Sequence, residues 1–323
     1  MTRLLFFCLV LMSSMLSTIR VSYALMDTAK ITVLVVDESG NPVEGAEVGV
    51  GFGENSQRKE RPVDGFTKSD GRFSASETCN SFVGFRVKKS GYYMSSGQYI
   101  FDYEKKGFFR WEPWNPEITV VLRKIENPVP MYARDTRESP IEIPVLGKDI
   151  GFDLIAFDWV KPYGRGSHSD FMFNMKVMDN GGNDFEYQLS VKFTNKFDGI
   201  QAYEETSTNM SMLLLPKNAP LSGYKKELGV FLKGVKRGAG YSWKNNRNYI
   251  VRVRSEVENG KLKKAMYGKI LSDISLAHPS KKGGFPTIQF KYYLNPDYTR
   301  NLEFDPKRNL FLNLPDREQV RIK

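Results

Sequence analysis

The stretch 31–53, ITVLVVDESGNPVEGAEVGVGFG, constrains the fold more than any other part of the chain. Val33, Val35 and Asp37 alternate with Thr32, Leu34 and Val36. The run is therefore apolar on both sides over most of its length, as in a strand with one face in the core and the other partly covered. Ser39-Gly40-Asn41-Pro42 stops it, because Gly40 permits positive φ and Pro42 has no N–H to give a ladder. A second strand is expected to begin at Ala46 and carry Val48 and Val50, closing an opening hairpin. This pattern fixes a scaffold and supplies no chemistry.

Residues 1–24 differ from the rest. Arg3 precedes the apolar run LLFFCLVLM, and small and polar residues follow up to Ser22-Tyr23-Ala24. That three-part plan reads as a secretory signal peptide cut after Ala24. The run is shorter than the ~20 residues a membrane-spanning helix needs, and no later segment is long and apolar enough to span. A secreted or periplasmic location follows. Cleavage removes Arg3 and Arg20, leaving 45 Lys and Arg against 37 Asp and Glu, a net +8, with Cys79 as the only cysteine. One thiol makes no internal disulfide, so the fold must rest on its core. Many short β-type segments are separated by Gly, Asn, Asp and Pro, which predicts a mainly β chain of two domains.

The first domain is expected over 31–125. Phe66-Thr67-Lys68 and Arg72-Phe73-Ser74 flank Ser69-Asp70-Gly71, a hairpin signal. Phe82, Phe85 and Val87 continue as a strand, and Ile118 to Leu122 closes the unit. Gly40, Pro42-Val43, Gly45-Ala46 and Val48, then Thr67, Asp70-Gly71 and Phe73, then Lys89, Gly91 and Tyr92 resemble the carboxypeptidase regulatory-like domain. The resemblance covers under a third of the chain. It implies a transthyretin-type β-sandwich of about seven strands and, since that module is non-catalytic, no active-site residues. Leu34 and Val35 continue the first strand where that family commonly places a small residue. Elsewhere, Asn127-Pro128-Val129-Pro130-Met131-Tyr132, Phe157-Asp158-Trp159-Val160, Tyr267-Gly268-Lys269-Ile270 and Asn301-Leu302-Glu303-Phe304-Asp305 resemble stretches of uncharacterised bacterial exported proteins, which implies no chemistry.

Rings crowd the segment 92–116. Tyr99, Phe101 and Tyr103 fall on one strand face and, with Trp111 and Trp114, offer flat surfaces of the kind that stack on sugar rings. The other reading, favoured because Trp114-Asn115-Pro116 leads straight into the last strand, is that they seal a junction between domains. Residues 126–144 then read as a Pro-rich linker: Asn127-Pro128-Val129-Pro130 excludes helix and favours an extended, stiff path.

The second domain is expected over 145–314, a larger β-sandwich-like unit, with a frayed tail over 315–323. Tyr187, Leu189, Val191 and Phe193 alternate with Gln188, Ser190 and Lys192. Asp179-Asn180-Gly181-Gly182-Asn183-Asp184 suits a hairpin turn better than a calcium loop, lacking the alternating ligands and distant Glu of an EF-hand. Residues 221–270 hold 13 Lys and Arg against 3 Glu. Within them Asn259-Gly260 sets a hairpin register that places Val257 opposite Leu262, Val253 opposite Met266 and Tyr249 opposite Ile270 on a buried face. Glu256 then lies opposite Lys263, and Arg252 opposite Tyr267, on an outer face. Arg252, Arg254, Lys263, Lys264, Tyr267 and Lys269 are the candidate contacts of a basic face for an anionic envelope component, a glycan or a protein. Export argues against nucleic acid. A solvated face whose lysines guard a sheet edge is the bland alternative.

Catalytic signals are weak. Ser167-His168-Ser169-Asp170 puts nucleophile, base and acid types in one loop, but neighbours on an extended chain point apart and no Gly-x-Ser-x-Gly elbow is present. Asp153, Asp158 and Asp170 suggest a two-carboxylate hydrolase within 153–170, with the carboxylate separation unreadable from sequence. His168 and His278 are the only histidines, with no paired-ligand spacing, so neither a metal nor a cofactor is expected. The sequence thus reads as an exported, non-enzymatic binding or structural protein, with carbohydrate binding at the aromatic segment and Asp-based hydrolysis as alternatives.

Overall fold

The computed structural model describes residues 27–53, 62–105, 107–179, 184–204, 210–235, 238–277 and 284–320. The signal sequence, most of the polar loop after Gly53, the Asn-Gly-Gly turn and His278 lie outside them. Among the described residues there is no α-helix, and no helix is long and apolar enough to cross a membrane. The mainly β class read from the alternation is what the structure has. Two compact units form. The first takes described residues up to Val35, Pro42–Val87 and Gly97–Val120; the second takes Val36–Asn41, Lys88–Ser96 and the chain from Val121 onward.

The first unit contains β1 (Asp27–Val36), β2 (Glu47–Phe52), β3 (Val63–Phe66), β4 (Arg72–Cys79), β5 (Phe82–Lys88), β6 (Ser95–Ile100) and β7 (Glu117–Val121). These make the sheet β4-β1-β7 and the run β6-β5-β2-β3 of a five-stranded sheet, whose remaining strand, residues 210–211, pairs with Ser95 and Ser96. The opening hairpin is therefore not a hairpin. Its turn forms, with Asp37 N–H on Asn41 O and Asp37 Oδ1 accepting from the Ser39 and Asn41 N–H groups. The chain then changes sheet: β1 pairs with β4, and β2 pairs with β3. One bond past Pro42 remains, Val43 N–H to Val35 O, and among the described residues no further rung joins the two strands. Ser69-Asp70-Gly71 repeats the pattern. The turn is tight, with Gly71 at φ +75°, yet β3 and β4 belong to different sheets. Each corner delivers alternate apolar residues to a shared interior, Ile31, Val33 and Val35 from one sheet and Val48, Val50, Val83 and Phe85 from the other, all buried.

The second unit adds β8 (Val129–Asp135), β9 (Ile141–Glu142), β10 (Asp149–Asp153), β11 (Asp158–Trp159), β12 (Phe171–Asp179), β13 (Phe185–Lys192), β14 (Gly199–Glu204) and β15 (Met210–Ser211). It is completed by β16 (Glu227–Val235), β17 (Gly238–Tyr241), β18 (Arg247–Glu258), β19 (Lys261–Ala277), β20 (Thr287–Asn295) and β21 (Phe304–Asn309). A six-stranded sheet, β11-β10-β12-β13-β16-β17, faces a sheet ordered β14-β18-β19-β20-β8-β21, with β9 also on β20. Phe152, Phe171, Phe173 and Tyr187 from the first meet Tyr249, Phe290 and Tyr292 from the second in one core. Edge-to-face contacts such as Phe171–Phe290, centroids 6.2 Å apart, join the layers.

The stretch expected to be a stiff linker is extended, but it is a strand of this sheet. β8 pairs with β20 from Tyr132 to Asp135 and in parallel with β21. Pro128 and Pro130 precede the antiparallel ladder, where no N–H is demanded of them. The tail expected to fray beyond Leu314 is held as well: Asp316–Glu318 makes a 3-10 turn, and the buried Glu318 pairs with Arg134.

Candidate functional site

The sheet containing β18, β19 and β20 is covered on both faces. Opposite the main core a second cluster, including Met131, Leu215, Ile250, Tyr267, Tyr293 and Leu302, lies over it. This overturns the outward basic face. Arg252 and Lys269 are 8% and 4% exposed, and Tyr267 is buried too. The Arg252 guanidinium donates to the carbonyls of Phe197 and Leu221 and lies over the Tyr224 ring. Lys269 Nζ donates to Leu302 O at 2.7 Å and sits 4.9 Å from the Tyr293 ring centroid. Burial brings this ammonium down from its ordinary 10.5 to about 7, against the pull of Glu303. Only Lys263 and Lys264 stand in solvent, and each is paired, with Glu258 and Glu256 respectively, at 2.9 Å. The cations are thus spent inside the fold or on neighbours.

The hairpin register holds for Tyr249–Ile270, Arg252–Tyr267, Val253–Met266 and Val257–Leu262, but Glu256 lies opposite Lys264 and not Lys263. Val257, expected to be buried, is 47% exposed. Between Val253 and Glu256 the ladder breaks at a bulge, and Arg254 takes φ +51°. A one-residue irregularity exchanges faces. Arg254 consequently points at the opposite sheet, where Nε and Nη2 clasp Asp170 at 2.8 Å each and Nη2 reaches Asp153 at 2.7 Å.

That clasp settles what the acids of 153–170 can do chemically. Asp153 and Asp170 are 2% and 3% exposed. Asp153 also accepts from the Ile155, Ala156, Ser167 and His168 N–H groups, and Asp170 from Leu154 N–H. Burial works to raise the Asp153 carboxyl, but those N–H groups and Arg254 outweigh it and hold it below the usual carboxylate range. For Asp170 burial prevails and pushes it up, Arg254 offsetting only part. With both carboxylates committed to backbone and guanidinium donors, they stitch the loop 154–170 to the sandwich and leave no oxygen free for a substrate. Asp158 holds the next turn, accepting from Trp159 and Arg165 N–H. Ser167 Oγ and His168 Nδ1 are 2.9 Å apart, yet Asp153 Oδ2 approaches that same nitrogen, at 4.0 Å. A relay needs acid and nucleophile on opposite ring nitrogens, so this is not a triad.

The aromatic segment divides. Trp111 is 2% and Phe101 1% exposed; they stack at 5.9 Å, and Trp111 Nε1 donates to Cys79 O. These two are core residues of the first unit, unavailable as platforms. Tyr103 is exposed with its hydroxyl on Asn80 O, Tyr99 is half-buried against Phe101, and Trp114 is partly exposed with Arg110 over its ring. Phe101 and Tyr103 lie beyond the end of β6, so the three rings do not share one strand face. Cys79 is buried, and burial raises its thiol.

The open site carries no recognisable motif and lies on the outer face of the six-stranded sheet. The register aligns short side chains into one row across four strands: Asp149, Asn174, Ser190 and Gly229. On one side the flanking row is Lys192 and Glu227; on the other it is Lys176, Gln188 and Phe231. Rows on one face are about 7 Å apart and strands about 4.8 Å apart. The short row is therefore a trough roughly 14 Å long running across the strands, within a groove of about 990 Å³. A Cβ built on Gly229 meets nothing within 4 Å, and Phe231, 43% exposed, stands beside it. The acids of the groove are engaged: Asp149 by Asn174 at 2.6 Å and Lys192 at 3.6 Å, Glu186 by Gln188 at 2.6 Å and Lys233 at 3.1 Å, and Glu227 by Ser190. Among the described residues no cluster of His, Cys, Asp and Glu is arranged to hold a metal.

No family model matches this chain, and no curated protein does. Among solved structures it is similar to 3-chlorocatechol 1,2-dioxygenase from Rhodococcus opacus 1CP, at 14% identity and TM-score 0.25, covering 31% of this chain. The chain spans 61% of that enzyme's length. A DUF3823 family protein from Parabacteroides merdae ATCC 43184 matches at 8% identity and TM-score 0.21, over 87% of this chain and 100% of the other. The shaft pilin SpaA from Lactobacillus rhamnosus GG matches at 12% identity and TM-score 0.24, over 76% of this chain and 94% of the other. TM-scores this low carry no weight for fold or function.

Proposed function

We propose that the chain is an exported, non-enzymatic binding protein of the bacterial cell envelope, and that it binds through the trough on the outer face of its six-stranded sheet. The observation that carries this is the row Asp149–Asn174–Ser190–Gly229: polar, open, walled by longer side chains and continuous over four strands. The floor is left low at Gly229, and the exposed Phe231 ring is presented at its edge. Asp153 and Asp170 are tied to Arg254 and to backbone donors, and the exposed His168 ring has only the adjacent Ser167 hydroxyl on Nδ1, which supports recognition as the role. The likeness of residues 31–125 to the carboxypeptidase regulatory-like module supports the same reading, since that module is itself non-catalytic.

Gly229→Leu tests the location. Gly229 has ordinary negative-φ strand geometry, and a Cβ there meets open space, so leucine leaves the fold intact and fills the trough. Co-sedimentation with purified cell-wall sacculi is expected to fall at least tenfold for Gly229→Leu and to stay at the wild-type level for Lys263→Glu. Equal sedimentation of wild type and Gly229→Leu would remove the trough from consideration.

A further inference from the structure

We infer that the occupant of this trough is an acidic saccharide chain, one carrying carboxylates on its sugar rings; the inference rests on the trough being the binding surface. Three features of the groove select that chemistry.

The first is charge left over after internal pairing. Asp149, Glu186 and Glu227 each have protein partners, and Lys192 and Lys233 are used in that pairing. Hydrogen bonding from Asn174 and the proximity of Lys192 hold Asp149 below the usual carboxylate range, and Gln188 and Lys233 do the same for Glu186. Both acids stay ionised and satisfied at neutral pH. Lys148 and Lys176 line the same groove and have no carboxylate partner among the described residues. Glu227 is met only by the Ser190 hydroxyl, so four lysines against three acids leave the groove one net positive charge, with Lys176 on the opposite side of the short row from Glu227. That is too little for a polyphosphate backbone, whose recognition takes many such contacts.

The second is the floor. Asn174 and Ser190 on the floor and Gln188 in the flanking row each give one hydrogen to a groove carboxylate. What remains for sugar hydroxyls is the second amide N–H of Asn174 and of Gln188, the Gln188 carbonyl and the Ser190 oxygen as an acceptor. The third is Phe231. It lies directly opposite Gln188 on the neighbouring strand and two residues from Gly229, so its face borders the empty part of the trough. A flat apolar ring next to a polar row suits a pyranose, which has one apolar face and a polar rim. A flexible acidic peptide would use the lysines and leave the ring unused.

The test is calorimetric titration of the full exported chain with oligogalacturonate, with neutral cello-oligosaccharide and with polyglutamate. Oligogalacturonate is expected to bind tightest and to weaken as salt is raised. Lys176→Gln and Lys148→Gln are each expected to weaken it about 2–5-fold, the range for solvent-exposed charge contacts, with no effect on the neutral sugar. Phe231→Ala is expected to weaken both sugars. Equal affinity for the neutral sugar overturns the acidic part of the assignment, and equal affinity for polyglutamate overturns the saccharide part. If neither sugar binds while Gly229→Leu still abolishes sedimentation with sacculi, the ligand class fails and the trough stands. If Gly229→Leu sediments like wild type, the trough itself fails.

Discussion

Replacing Lys269 by methionine gives a direct test of the interior of the second unit, because the buried amine couples stability to pH in a direction that is easily worked out. In the unfolded chain the ammonium loses its proton near 10.4; in the folded chain burial brings that down to about 7. Between those values the unfolded state binds one proton more than the folded state. Stability therefore rises with pH through this window and falls as pH drops towards 7. The slope from this one group is at most about 1.4 kcal/mol per pH unit, and over the whole window the effect is on the order of 4 kcal/mol. Lys226 and Lys291, also lowered chiefly by burial, add slopes of the same sign, so the informative quantity is the difference between wild type and Lys269→Met. Urea unfolding at steps between pH 7 and 9.5 measures it, a range below the ordinary titration of unfolded tyrosines. The wild-type curve should climb away from a flatter Lys269→Met curve. Curves that run parallel would mean that the amine keeps its charge in the fold and that the cover supplied by Tyr267, Tyr293 and Leu302 is not closed over it.

Arg254→Met leaves Asp153 and Asp170 buried without their cation and should cost about 3–5 kcal/mol by chemical denaturation; adding Asp170→Asn should return part of that loss. Trp111→Ala, which empties a fully buried indole site in the first unit, should cost about 3–5 kcal/mol and show in that unit's thermal transition. Lys263→Glu together with Lys264→Glu should change stability by under about 1 kcal/mol, since both pairs are solvent-exposed; a larger loss would indicate contacts beyond Glu258 and Glu256.

The alternation in 249–270 gave the hairpin and four of its cross-strand pairs because a two-residue Asn-Gly turn fixes register and a period of two fixes faces. It did not give the bulge at Arg254, which no local residue type marks, and with it went the side on which that guanidinium works. Treating the far face as solvent was the second miss. Ile250, Tyr267, Leu271 and Tyr293 share it, and their apolar character was a readable sign that something covers it. Pro128 and Pro130 exclude helix and favour an extended path, which is what forms; that the path is a strand depends on partners at Lys291 and Phe304, far along the chain. The hydrolase candidates Asp153, Asp158 and Asp170 fell where strand-end acids belong, and that is what they are. Gln188, Ser190 and Lys192 were identified as the outer side of their strand. Their role depended on which residue of a strand some 40 positions later faces Ser190, and pairing at that distance leaves no trace in a single sequence.

The placement of β8 has a consequence for how the molecule is made. Asp135 finds its partner at Lys291 and Val129 finds its own at Phe304, so during synthesis the early strand waits for about half the chain to emerge. A product ending before Thr287 would present β8 and β19 with bare hydrogen-bonding edges and apolar side chains, a species prone to stick to others like it.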